Sequence, residues 1–285
     1  MFFFYHYYHL YIILFGSSLI GLIAGTLGTF VYLRKQSLLG DAISHATLPG
    51  IVLALLITSN KTPALLLLGG ACTGTIGIML TLLIARITKL HNDTVLGIIL
   101  SVFFGAGLVL ISIVQKYPRA DQAVLNKFLF GNIAILLPSD LFPVLIIGTL
   151  VCTVITLFWK ELKLYSFDQE LSHTIPLLNP IMNLLLTTLL IAVIAICLQC
   201  VGVILMTSLL IAPATAARQW TIHLETTTLL AAFFGACAAV AGTLISSSMH
   251  IPTGPAIVVT ISILTGVSLI FSPRRGLLFY WLKRL

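Results

Sequence analysis

The stretch that decides the fold is "SLLGDAISHATLPGIVLALL", Ser37 to Leu56, an apolar run with an acid and a histidine near its start. A helix of about 20 residues rises about 30 Å, which matches the hydrocarbon core of a bilayer. An ionised carboxylate at that depth costs roughly 2.5–3.5 kcal/mol on insertion scales, so a chain that keeps one usually has a use for it. The stretch therefore predicts a membrane helix in which Asp41 and His45 have a function.

The composition extends this prediction to the whole chain of 285 residues, because 59% are hydrophobic and only 8% are charged. Mean hydropathy is +1.13, well above the range of soluble domains. The apolar segments lie at about residues 10–33, 38–59, 63–85, 94–115, 139–159, 183–200, 203–217, 227–249 and 254–272. We expect an all-α, polytopic transmembrane bundle with eight or nine membrane segments, forming one domain over residues 1–285.

The seventh segment leaves the number of spans open, because it is short, contains Pro213 and follows the sixth almost without a linker. It is interpreted as a full span or as a re-entrant or broken helix. The formal net charge is +7, but the basic residues form short clusters between apolar runs, which favours topology determinants over nucleic-acid binding. With nine spans and an outer N-terminus, Arg34 and Arg218 fall on the cytoplasmic side. Two longer connections, Lys116 to Asp140 and Lys160 to Pro180, are interpreted as an outer interfacial helix and a charged cytoplasmic loop.

Asp41 and His45 are four residues apart, so on a helix they lie about 40° and about 6 Å from each other, on one face. A carboxylate oxygen and an imidazole nitrogen together provide half of a site for zinc, manganese or ferrous iron. Pro49 adds to this pattern, since a proline cannot donate to the carbonyl four residues back, which belongs to His45. Gly50 follows, and the pair indicates a kink or break in the helix at this point.

Other interpretations of these residues remain open. Asp41 could serve only as an N-cap, and His45 could be a hydrogen-bonded core histidine. A hydrolase site that used Ser44 is excluded, because neighbouring residues point about 100° apart on a helix. Cys197 and Cys200 have the spacing of a redox or metal pair, although two small apolar helix residues explain them as well.

The sequence "LLGDAISHATLPGIVLA" closely resembles the signature of the membrane permease subunits of ATP-binding-cassette importers for zinc, manganese and iron. Further segments similar to that family are "DTVLGIILSVFFGAGLVL", "FLFGNI", "VGVILMTSLLIAPATAAR" and "IPTGPAIVV". The resemblance implies a multi-pass permease of the bacterial inner (cytoplasmic) membrane, with Asp41 and His45 as metal ligands along the translocation path. It also implies that the region of Pro213 and Arg218 is presented to the ATPase.

The partners that the resemblance implies are a pair of cytoplasmic ATP-binding subunits, an extracytoplasmic metal-binding protein and a second permease subunit, identical or paralogous. No cofactor would be permanently bound; the ion, manganese, zinc or iron, would be the cargo. The sequence contains no phosphate-binding loop of the form G-x-x-x-x-G-K-[ST], so we expect no enzymatic activity in this subunit itself. Two alternatives are a proton-coupled secondary transporter that uses Asp41 and His45 as a relay, and a membrane scaffold that transports nothing.

Overall fold

The computed structural model describes residues 2–58, 63–116, 138–167, 178–273 and 276, and these residues form helices and short connections with no β-strand. The helices are α1 (Phe2–Leu33), α2 (Ser37–Thr58), α3 (Pro63–Ile87), α4 (Asn92–Val114), α5 (Pro138–Leu157), α6 (Trp159–Phe167), α7 (Leu178–Val201), α8 (Val203–Trp220), α9 (Leu224–Met249) and α10 (Thr253–Phe271). A helix forms its backbone hydrogen bonds within one segment, so it is stable in the membrane core, where no water is available to bond unpaired peptide groups. The all-α prediction is confirmed.

Eight of the described helices are long and apolar enough to cross a membrane, and α6 and α8 are not among them. All nine predicted apolar segments coincide with helices, and the short seventh one is α8. A left-handed residue, Gly202 with a φ of 80°, separates α8 from α7. The broken-helix interpretation of this region is therefore the one that the structure supports.

The predicted cytoplasmic loop from Lys160 differs from the structure, because its first part forms the nine-residue helix α6. Leu162 and Tyr165, three residues apart, are buried, while Lys163 is exposed and pairs with Glu225 at 3.4 Å. This one-sided burial explains why a charged segment becomes a surface helix. The rest of that connection, with Asp168 and Glu170, and residues 117–137 of the predicted outer interfacial helix lie outside the described residues.

The helices form two compact units, and the first comprises residues 1–35, 132–189 and 208–285. Its central pair is α1 and α9, which cross where Gly21 faces Gly235 and Gly25 faces Ala231. Small residues at such crossings let helix backbones approach closely in lipid. A buried polar contact joins the same two helices, since the Thr243 hydroxyl donates to the Ser17 hydroxyl at 3.2 Å.

The cytoplasmic end predicted for α1 is held by aromatic residues of α6 within the same unit. The guanidinium of Arg34 stacks on the Tyr165 ring at 3.6 Å from its centroid. The Tyr165 hydroxyl donates to Asn183 Oδ1 at 3.2 Å. Burial lowers the pKa of Arg34, and the neighbouring Tyr165 opposes that shift. Lys35 follows in the left-handed conformation, with a φ of 56°, between α1 and the start of α2.

The second unit comprises residues 36–131 and 190–207, that is, α2, α3, α4, the end of α7 and the start of α8. Its central helix is α2, which packs against both α3 and α4. Gly50 of α2 lies against Gly69 of α3, and Gly107 of α4 lies against Pro49. These close approaches place α2, and the residues on it, at the centre of the unit.

Substituting Gly21 by Ala is expected to destabilise the first unit, because a Cβ at that position would overlap the carbonyl oxygen of Gly235. Overpacking of this kind costs about 1–3 kcal/mol. The thermal midpoint of the detergent-solubilised protein measures the effect. Gly266→Ala is the control, since its added Cβ would meet no heavy atom within 4 Å among the described residues beyond its chain neighbours and its own helix backbone. Equal midpoints for the two variants would contradict the packing described here.

Candidate functional site

The candidate site begins with the register of α2. After the left-handed turn at Lys35, the Leu39 N–H donates to the Gln36 carbonyl at 3.0 Å, and the helix starts at Ser37. No acid lies in the first turn of α2, so Asp41 is inside the helix and is not its N-cap. The N-cap interpretation of Asp41 is therefore wrong.

Asp41 and His45 occupy the same face of α2, as their spacing predicts. Both side chains are half-buried, whereas Ala42, Ile43 and Ser44 between them are buried. The two side chains are near enough for the carboxylate and the imidazole to interact electrostatically. The structure thus places both residues on the one accessible face of an otherwise buried part of the helix.

The side chain of Thr207 in α8 lies close to the Asp41 carboxylate of α2. Thr207 and Asp41 belong to the same compact unit, although they are far apart in the sequence. Thr207 could not be predicted from the sequence as a site residue, because a threonine in an apolar run shows nothing of what its hydroxyl contacts. Its only signal is its position just after the predicted break between the sixth and seventh segments.

His45 is held by an aromatic contact on α4. Its ring meets Phe104 edge-to-face, with centroids 4.7 Å apart and planes at 71°. The Nδ1 atom of His45 is buried and has no hydrogen-bond partner among the described residues. An unpaired buried polar atom is costly in a protein interior, and a bound ion or water is one way to satisfy it. The interpretation of His45 as a hydrogen-bonded core histidine therefore has no support at this atom.

The hydroxyls next to this pair are used for local helix bonds. Ser44 donates to the Gly40 carbonyl at 2.7 Å, and Thr47 donates to the Ser44 carbonyl at 2.7 Å. Both hydroxyls therefore face their own helix backbone. This agrees with the exclusion of a nucleophilic serine at Ser44.

The break predicted at Pro49 and Gly50 is absent from the structure of α2. Helix α2 continues through both residues to Thr58, with Pro49 inside it. Gly50 instead permits the close approach of Gly69 on α3. Packing on both sides of α2 holds the helix together despite the proline, while the break in this unit occurs at Gly202.

Within the part of the chain that the structure describes, no three His, Cys, Asp or Glu side chains are grouped to hold a metal ion. Cys197 and Cys200 are both buried in α7, as two small apolar residues would be. Three further histidines, His91, His223 and His250, are exposed at helix ends. The pair on α2 is therefore the strongest metal-binding candidate in the described residues.

The described residues include eight helices that could cross a membrane. One of them, α2, is largely buried and carries a carboxylate and an imidazole on its accessible face. These features are those of a membrane transport protein. The chain belongs to the ABC 3 transport family, whose profile matches residues 6–272. It is thus a multi-pass ABC transporter permease, a transport component and not an enzyme, and the resemblance found in the sequence is confirmed.

Two relatives show how far the similarity extends. The zinc transport system membrane protein TroC of Treponema pallidum is 42% identical over 279 residues, covering 97% of this chain and 94% of that protein. The manganese transport system membrane protein MntC of Bacillus subtilis is 40% identical over 266 residues, covering 93% of this chain and 61% of that protein. A solved structure, PsaBC from Streptococcus pneumoniae in complex with Fab, matches with a TM-score of 0.84 and 31% identity. The match covers 97% of this chain and 95% of that one.

Replacing His45 by Leu is expected to leave the stability of the metal-free protein unchanged or to raise it. The substitution removes a buried Nδ1 atom that lacks a partner in the described chain, and such an atom costs about 1–3 kcal/mol. Thermal midpoints in chelator-treated detergent solution measure the effect. Asn183→Leu is the contrasting variant, because it leaves the Tyr165 hydroxyl without its acceptor and should lower the midpoint. A loss of stability in His45→Leu as large as in Asn183→Leu would contradict this interpretation.

Proposed function

We propose that this chain is the permease subunit of an importer for divalent transition metal ions, manganese or zinc, and that Asp41 and His45 bind the ion during translocation. The observation that carries the proposal is the pairing of the two side chains on the accessible face of α2. The unpaired Nδ1 atom of His45 supports it, since imidazole nitrogen is a common ligand of both metals. The names of the relatives, a zinc system protein and a manganese system protein, agree with this cargo.

The number of ligands favours a second permease subunit at the site. Zinc usually takes four ligands and manganese about six, whereas the pair on α2 provides two side chains. A second permease, identical or paralogous, would bring another acid and histidine, and water would complete the coordination. The domain assignment, one permease domain over residues 1–285, belongs to the same proposal. Iron suits the same ligands and is kept as a third ion in the test.

The energy source proposed for transport is a pair of cytoplasmic ATP-binding subunits, with an extracytoplasmic protein that delivers the metal. The absence of a phosphate-binding loop from these 285 residues supports a separate ATPase. Arg218 lies in the last turn of α8, where its guanidinium donates to the Ile222 carbonyl at 2.5 Å, and we propose that this end meets the ATPase. The assembly would reside in the bacterial cytoplasmic membrane.

Asp41→Asn and His45→Ala are each expected to reduce metal uptake by at least about tenfold, because each removes one of two ligands from the chain. Initial rates of manganese, zinc and iron uptake are compared in cells with the complete importer, at matched permease levels. Asp93→Asn and His91→Ala are the control variants, since they alter an exposed Asp and His at the start of α4. Unchanged uptake of all three metals by the Asp41 and His45 variants would overturn the proposal.

Uptake by the reconstituted importer is expected to require ATP and the ATP-binding subunits. In vesicles that contain only the permease, an imposed proton gradient should drive no accumulation of manganese or zinc. The measurement is metal accumulation with ATP alone, with a proton gradient alone and with both. Accumulation driven by the gradient alone would instead support the secondary transporter that uses Asp41 and His45 as a proton relay.

A further inference from the structure

Aromatic rings and a cation meet where the end of α1 packs against α6. The Phe30 ring contacts the Trp159 ring edge-to-face, with centroids 6.0 Å apart and planes at 83°. One turn later in the chain, the Arg34 N–H donates to the Phe30 carbonyl at 3.1 Å, and the Arg34 guanidinium lies over the Tyr165 ring. Two aromatic contacts therefore hold the end of α1, including the Arg34 side chain, against α6.

This contact lies at the level where two potential membrane spans end. The span in α1 ends at Leu33 and the span in α5 ends at Leu157, so Arg34 directly follows one span and α6 begins shortly after the other. Both ends belong to the first unit and fall on the predicted cytoplasmic side. Tryptophan and tyrosine are enriched at this level, which is that of the lipid headgroups. Arg34 and α6 are therefore placed to meet headgroups of the cytoplasmic leaflet.

Two buried polar atoms at this contact have no hydrogen-bond partner among the described residues, the Nε atom of Arg34 and the hydroxyl of Ser166. Ser166 comes about two turns after Trp159 in α6, so it lies on the face of α6 that meets α1. Both residues are only half-buried as a whole, so the rest of each side chain stays accessible. A buried donor without an acceptor is costly, and a bound ligand is one way to satisfy it. Since both groups can donate, the missing partner is an acceptor.

The charges around Arg34 indicate that this acceptor is an anion. Within the part of the chain that the structure describes, no carboxylate forms an ion pair with Arg34. Glu161, the one acid of α6, is half-buried and does not pair with it. The neighbouring Lys35 is exposed and adds a second positive charge at the end of α1. A phosphate suits this arrangement, because the planar guanidinium fork matches its oxygens and each phosphate offers several acceptors.

We propose that Arg34 and Ser166 form a binding site for the phosphate of an anionic phospholipid in the cytoplasmic leaflet. The Arg34 guanidinium, held over Tyr165, donates to the phosphate oxygens, the Ser166 hydroxyl donates a further bond, and Lys35 attracts the negative headgroup. Basic pockets beside membrane helices on the cytoplasmic side suit such headgroups. A lipid is favoured over the ATP-binding subunits because Arg34 directly follows a membrane span. The site is separate from the proposed metal ligands, so it does not depend on the proposed function.

The test measures lipid binding by the complex of full-length permease and ATP-binding subunits, purified in detergent. Native mass spectrometry follows bound lipid during titration with phosphatidylglycerol, which is anionic, and with phosphatidylcholine, which is zwitterionic. Sodium phosphate in large excess is the competitor that distinguishes a free phosphate site from a lipid site. The variants are Arg34→Gln, which removes the guanidinium, and Ser166→Ala, which removes the hydroxyl. Arg86→Gln is the control, since it alters an exposed arginine in the last turn of α3.

We expect Arg34→Gln to weaken phosphatidylglycerol binding about fivefold and Ser166→Ala to weaken it about threefold, while Arg86→Gln stays within about twofold of the wild type. Unchanged binding in Arg34→Gln would overturn the inference, and so would an equal loss in Arg86→Gln. Equal affinity of the wild type for phosphatidylcholine would show that the negative charge of the headgroup is irrelevant. Displacement of the lipid by sodium phosphate would identify a site for free phosphate instead. Either result would also overturn the inference.

Thermal midpoints of the same complexes keep the inference testable if Arg34→Gln folds poorly. A ligand that binds only the folded state raises the midpoint, so phosphatidylglycerol should stabilise the wild type and Arg86→Gln more than Ser166→Ala. Equal stabilisation of Ser166→Ala and the wild type would contradict the site. Loss of the ATP-binding subunits from Arg34→Gln, with normal lipid binding, would show that Arg34 contacts those subunits and not a lipid.

Discussion

The structure of the second unit depends on one constraint: a carboxylate within an apolar bundle must find partners that replace water. A charge that is moved into such a medium without partners is expensive, so it is retained only where hydrogen bonds or opposite charges compensate. Asp41 has the hydroxyl of Thr207 and the imidazole of His45 near it. Thr207 belongs to α8, whereas His45 is on α2 itself and its ring contacts Phe104 of α4, so residues of three helices surround the carboxylate.

The same constraint acts on the backbone, and it explains why small residues recur where helices cross. Peptide groups in an apolar environment must bond within their own helix, so helices can only associate through close contact of their surfaces. Gly50 against Gly69 and Gly21 against Gly235 are such contacts. Close packing on both sides also explains why α2 stays helical through Pro49, although the proline leaves the His45 carbonyl without its usual helix donor.

Much of the fold could be predicted from the sequence, because length and hydropathy report directly on membrane helices. The shared face of Asp41 and His45 could also be predicted, since four residues on a helix define it. Contacts between distant parts of the chain could not: Thr207 and Phe104 are an ordinary threonine and phenylalanine in apolar runs. Two other features could not be predicted for a related reason. The proline predicts a break in α2 and the charged residues predict a loop at α6, but packing against neighbouring helices keeps both segments helical.

The two metal ligands proposed for this chain suit a cargo that must leave again. Structural zinc sites are closed by four protein ligands and hold the metal as part of the fold. A transport site differs from a structural site, because it must bind the ion strongly enough for entry and weakly enough for release. The two half-buried residues proposed as ligands on α2 would meet this need, because they would form a complete metal site only together with a second subunit. In the proposed dimer, small movements of α2 would open the site, because each subunit would offer the ion only two groups.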